Sequence, residues 1–154
     1  MNEGPEVKGN PLRIAVALLV ISYLLGEFII PKYELLLILN IFGLAGLVIS
    51  IFIFASALNL FFSYKEKLHP KTKTIRIIKT GIFAYTRNPI YLSFVLFHFS
   101  MFLVFENVMY FISSIGIFFW INNYVIFEEE KYLTNTFSKE FKRYCLEVKR
   151  WLIF

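Results

Sequence analysis

The chain has 154 residues, 58% hydrophobic and 18% charged, against roughly 45–50% and about 25% in a soluble domain. That excess of apolar surface excludes both a small soluble core and a disordered chain, and a single cysteine, Cys145, excludes an intrachain disulfide framework or a cysteine metal cluster. The formal charge of +5 is gathered in particular loops, which reads as membrane topology and not as nucleic-acid affinity.

Four apolar stretches follow in chain order, with about 20 residues needed to cross a bilayer. The first runs from about Leu12 to Ile30 and ends at Pro31. It is too long for a signal peptide, contains Glu27, and is followed by no small-residue cleavage site. The second, Leu35 to Phe62, is longer than a crossing needs and is expected to tilt or project. Gly43 and Gly46 within it suit close helix packing. A polar, basic segment, Ser63 to Asn88, separates it from a short third stretch, Ile90 to Phe105. The fourth runs from Val108 to Phe127, and a charged tail, Glu128 to Arg150, follows.

These stretches predict an all-α integral membrane protein with four transmembrane helices and a C-terminal amphipathic interfacial helix. Residues 1–154 form one membrane domain, with an N-terminal helical hairpin over 1–62. With the N-terminus inside, 15 of the 16 Lys and Arg residues fall on the inner side and only Lys32 outside. Both termini and any site are therefore expected at the cytosolic face of the cell membrane. The outer connections, near Pro31–Glu34 and Phe105–Asn107, are too short to hold a site.

Polar residues stand out in three places. Asn88-Pro89 suits the start of a helix, with Asn as cap and Pro at the first position. The preceding Thr80–Arg87 stretch brings an Arg and two aromatics to the membrane surface, where a helix N-terminus and an Arg suit an anion. Glu128-Glu129-Glu130 closes the fourth span and demands a cation; Lys131, Arg87 or a cationic ligand can supply it. The tail carries a stripe of Leu133, Phe137, Phe141, Tyr144 and Val148 that reads first as packing. His98, mid-span, is either a neutral residue bonded to a neighbouring helix or a functional base.

Two of these clusters together carry a resemblance. Thr80-Gly81-Ile82-Phe83-Ala84-Tyr85-Thr86-Arg87-Asn88-Pro89-Ile90-Tyr91-Leu92 resembles the T-G-x-Y-x-Y-x-R-[HN]-P-x-Y-L signature of integral-membrane methyltransferases. The tail from Glu129-Glu130-Lys131-Tyr132-Leu133 through Phe137, Glu140, Phe141 and Tyr144 to Val148-Lys149-Arg150-Trp151 resembles their second signature. That family includes isoprenylcysteine carboxyl methyltransferases and phospholipid N-methyltransferases. The match covers about residues 75–151. Asn88, Ser138, Phe141 and Lys149 depart from the commoner residues. So does Asn122-Asn123-Tyr124, where similar prenylcysteine enzymes carry an Arg a turn before the glutamates. This last departure weighs against a prenylcysteine carboxylate.

The resemblance implies S-adenosylmethionine as methyl donor and a lipophilic acceptor, an isoprenylcysteine carboxylate or a phospholipid amine. It implies donor binding by Tyr85, Arg87, Asn88, Pro89, Tyr91, Glu129 and Glu130, with Tyr132 as a further aromatic wall. If the acceptor is an amine, His98, the candidate base, or one of the glutamates can remove its proton; no metal is needed, and the acceptor is expected to enter between the third and fourth spans. A sterol-reductase-like, NADPH-dependent oxidoreductase and a non-enzymatic four-helix membrane protein are the alternatives. No dinucleotide glycine fingerprint accompanies the first of these.

The topology is tested with the sole thiol. Cys145 should resist a membrane-impermeant maleimide in intact cells and react once the inner face is opened. Labelling from outside in intact cells would reverse the orientation.

Overall fold

The computed structural model describes residues 4–32, 34–67 and 71–152. Tyr33, in one predicted outer connection, lies outside them. Among the described residues every regular element is helical: α1 Pro11–Phe28, α2 Leu37–Ser63, a 3₁₀ turn Gly81–Ala84, α3 Pro89–Phe105, α4 Val108–Trp120 and α5 Phe127–Glu147. A π-helical segment, Ile121–Ile126, joins α4 to α5.

Three helical stretches are long and apolar enough to cross a membrane: α1, α2 and the continuous path through α4. α3 is equally apolar, but its 17 residues reach only about 25 Å. The outward faces of α1 and α2 carry exposed Leu, Val, Ile and Phe along their length, as a lipid-facing surface requires.

The tail differs from its expected form. The fourth span does not break at Phe127 to release a separate interfacial helix, because the chain stays helical through the π segment to Glu147. The bend comes later, at Ser138, whose φ of 44° and ψ of −105° interrupt α5. Beyond it Phe141 and Tyr144 are buried. The Tyr144 hydroxyl donates to the Phe83 carbonyl at 2.6 Å, which ties the end of α5 to the 3₁₀ turn.

Packing inside the bundle depends on small and capping residues. α2 lies along α3, α3 along α4, and α1 chiefly along α4. At Gly43 a Cβ would sit 2.8 Å from the Leu103 Cβ and 3.0 Å from the Val104 backbone nitrogen, so α2 and α3 touch through backbone. α1 meets the start of α4 at a buried lock. Asn107 accepts from the Met109 N–H as the cap of α4 and donates to the Ser22 carbonyl, while Ser22 Oγ donates to the Met109 carbonyl. Gly26 leaves the space that the Asn107 side chain fills. On the same side Glu106, at φ 56°, turns the chain from α3 into α4. Its carboxylate accepts from the Leu35 N–H at 3.0 Å, which anchors the chain just before α2.

Gly43→Val forces two backbones apart and should destabilise the protein by about 1–3 kcal/mol, the usual range for overpacking. Gly116→Ala is the control, since a Cβ there meets nothing within 4 Å. Thermal unfolding in detergent should separate the two; an equal response would mean that α2 and α3 do not make this contact.

Candidate functional site

The site lies where the charged ends of the helices gather. Thr86 to Pro89 lead into α3, Glu129 and Glu130 begin α5, and Lys149 to Trp151 fold back between them. Backbone and side chain both stitch this junction. The Arg87 N–H donates to the Lys149 carbonyl at 3.0 Å. The Arg150 carbonyl accepts from Thr86 Oγ1 and from Asn88 Nδ2, each at 3.0 Å.

Asn88 is therefore not the side-chain cap of α3 that its position suggests. Its amide is drawn to Arg150, and no side chain caps the helix. The first turn of α3, opened by Pro89, keeps its N–H groups for another partner.

The two glutamates have different surroundings. Glu130 is gripped from both sides, by Arg87 Nη2 on Oε1 at 2.9 Å and by Arg150 through Nε and Nη2. Arg150 also donates to Asn122 Oδ1, as does the Trp151 indole, each at 3.3 Å. Glu129 has no such cation. Its Oε1 accepts from the Tyr91 hydroxyl at 2.6 Å, and among the described residues no Lys or Arg pairs with it. Glu129 lies just beyond the apolar run that ends at Phe127. Its carboxyl is pushed up to about 7 by burial, against the lowering effect of the Tyr91 hydrogen bond, and Glu130 raises it further.

Glu129, Glu130, Arg87 and Tyr91 line a cavity of about 210 Å³. Of the residues singled out in the sequence, Arg87, Asn88, Pro89, Tyr91, Glu129 and Glu130 are on its wall, and Tyr132 joins them. Glu129 and Tyr132 share a helix face at i, i+3 spacing. Tyr85 is not on the wall; its ring is at the surface and the residue is 70% exposed. Nor does His98 line the cavity. It is buried, and its Nδ1 is 2.8 Å from the Phe94 carbonyl one turn earlier.

Other wall residues carried no signal of their own in the sequence. Asn10 and Pro11 reach the cavity from the start of α1, and Glu66, Lys67 and Arg76 from the segment after α2. Glu66 is the only acidic residue among residues 63–88, the one clue that this basic segment folds on itself. Arg150 stood within the tail motif and was not singled out.

A ligand that carries both a cationic and an anionic group suits this arrangement. Glu129 is a carboxylate in want of a positive charge, and the first turn of α3 offers donors to an anion. The Tyr132 hydroxyl is buried with no hydrogen-bond partner, so a polar ligand atom can satisfy it. Among the described residues no group of His, Cys, Asp or Glu is placed to hold a metal ion.

Arg150→Ala removes one of the two grips on Glu130, leaving that of Arg87, and should cost about 1–3 kcal/mol of stability, the penalty for a part-buried ionic partner left unmade. Arg150→Lys should recover only part, because a single ammonium cannot reproduce the two-nitrogen contact. Thermal unfolding of both variants beside the parent checks this; no change on Arg150→Ala would mean that the side-chain contact with Glu130 does not stabilise the junction.

A family model described as phospholipid methyltransferase matches residues 34–140, more than half of the chain. No curated protein and no solved structure matches significantly.

Proposed function

From the chain's membership of the phospholipid methyltransferase family, we propose that it is a membrane-embedded enzyme moving a methyl group from S-adenosylmethionine to a lipophilic acceptor. The acceptor class favoured is a phospholipid amine, since Asn122-Asn123-Tyr124 stands where a prenylcysteine enzyme carries an Arg. α3 is read as a fourth crossing, with the site facing the cytosol, where the donor is made.

One observation carries the reading: a carboxylate with no cationic partner, Glu129, on the wall of a cavity that also holds the uncapped start of α3. Glu129 would take the donor's ammonium and the first-turn N–H groups of α3 its carboxylate, with Tyr132 toward the nucleoside. Arg87, expected among the donor-binding residues, pairs through Nη2 with Glu130. In this reading Arg87, Glu130 and Arg150 are positioning residues, and Tyr91 holds the Glu129 carboxylate in place. When bound, the donor supplies an electrophilic methyl group. The protein's share is orientation and exclusion of water. The apolar wall of Phe61, Ile78, Phe83, Ile90 and Phe94 receives the acceptor's chains. His98, off the wall, is not assigned the role of base.

Glu129→Gln keeps size and removes the charge, so affinity for S-adenosylmethionine should fall by roughly 10- to 150-fold, the equivalent of about 1.5–3 kcal/mol for a charge-assisted hydrogen bond. Calorimetric titration in detergent measures this, with NADPH as the competing cofactor. NADPH binding with no donor binding would overturn the reading.

The pH dependence follows from the raised carboxyl. Glu129 is largely protonated below about pH 7, and an ammonium needs the ionised form. Donor affinity should therefore rise with pH, by about tenfold from pH 6 to pH 8 for one group titrating at that point. A flat profile, or one falling with pH, would remove Glu129 from the ammonium.

A further inference from the structure

The cavity wall carries charge of both signs. Glu129, Tyr132 and the Arg87–Glu130 pair lie on it, and Lys67 and Arg76 reach it from the segment after α2 together with Glu66. Apolar residues from α2, the 3₁₀ turn and α3 complete the wall. A ligand that suits such a cavity carries an anion at one end of its polar part and a cation at the other.

The basic side is held in place. Glu66, buried at 8% exposure, accepts at Oε1 and Oε2 from the Ile75 N–H at 3.2 and 3.3 Å, and at Oε1 from the Arg76 N–H at 3.0 Å. Its oxygens are thus engaged by backbone donors. The Arg76 guanidinium approaches it only at Nε, 3.8 Å away. Glu66 folds the segment back on itself, which brings residue 76 to the cavity beside residue 67, and Thr74 adds a hydroxyl to that wall. Lys67 makes no ion pair among the described residues.

Orientation in a bilayer accounts for basic residues in general. It does not require two of them to line the cavity that holds Glu129, and Lys65 on the same segment does not. Arg presents a fork to a phosphate and Lys a point charge.

We propose that Lys67 and Arg76 form an anion subsite for the phosphate of the acceptor's head group. It selects a lipid whose amine is carried on a phosphodiester. The inference rests on the reading of this cavity as the methyl-transfer site. In the ethanolamine head group the phosphate and the amine are two carbons apart, so a phosphate held by the loop side leaves the amine toward the Glu129 side. Inorganic phosphate shares the recognised chemistry and is the other source to be told apart.

The test is binding, independent of turnover. The full-length protein in detergent is titrated with dihexanoylphosphatidylethanolamine and with dihexanoylglycerol, which has the same chains and no phosphate. The parent should favour the phosphate-bearing lipid by about tenfold or more, the scale of a charge-assisted contact. Lys67→Gln combined with Arg76→Gln should reduce that preference to less than about threefold, while Arg76→Lys retains most of it. Thermal unfolding in detergent should be the same in all variants, which shows that they fold. Equal binding of the two lipids by the parent, or an undiminished preference in the double variant, would overturn the subsite. Inorganic phosphate binding as tightly as the phospholipid would overturn the lipid as its source. Failure of the methyltransferase reading shows separately, as loss of donor binding in the parent.

Discussion

Everything at the junction of the helix ends depends on Glu130 being held between two arginines. One belongs to the approach to α3 and the other to the strap that follows α5. An ionic contact with both partners partly sheltered is costly to leave half made, so the three segments form one unit. The same contact separates two adjacent carboxylates by role. Glu130 receives the positive charge that the fold can supply, and Glu129 is left with a phenol. The negative charge of Glu130 then adds to burial in raising its neighbour. The arginines that order the site thereby leave it short of one cation.

The membrane explains why the site sits at a helix junction. Within the apolar layer the helices close on each other through Gly43, Gly26 and the hydroxyl groups of Ser22 and Ser114, the last donating to the Val95 carbonyl at 3.0 Å. Ser114 thus bonds α4 to α3, and no residue of α4 is on the cavity wall. Room appears where α1 begins, α2 ends and the helices part, with Pro11, Phe61 and Tyr91 on a common wall.

Much of this was legible in the residues. Long apolar runs marked α1 and α2 within two residues of their ends, because lipid imposes length directly on sequence. The meeting of Arg87 with Glu130 followed from a short hairpin that returns the chain to its starting depth. What escaped detection has physical reasons. The π segment adds no residue type of its own, so helical periodicity ran through it unremarked and the expected break was put at Phe127. Asn88 looked like a cap because residue type alone cannot show that Arg150 competes for its amide. Tyr85 matched a signature by position, yet the 3₁₀ turn directs it outward. The segment after α2 has neither period nor apolar face, and a lone acidic residue, Glu66, is a slight signal for the return of Ile75 and Arg76 to it.

The lock between α1 and α4 bears on how the protein is made. α1 and α2 are consecutive, yet the main partner of α1 is α4, some eighty residues downstream as Ser22 and Asn107 show. Helices insert first and associate afterwards. During synthesis α1 therefore waits in the bilayer with Ser22 facing lipid until Asn107 arrives. A hydroxyl in that setting can bond to its own helix, so the wait is tolerable. Biogenesis thus has an order: α2 and α3 can associate first, and α1 docks last, when α4 has entered the membrane.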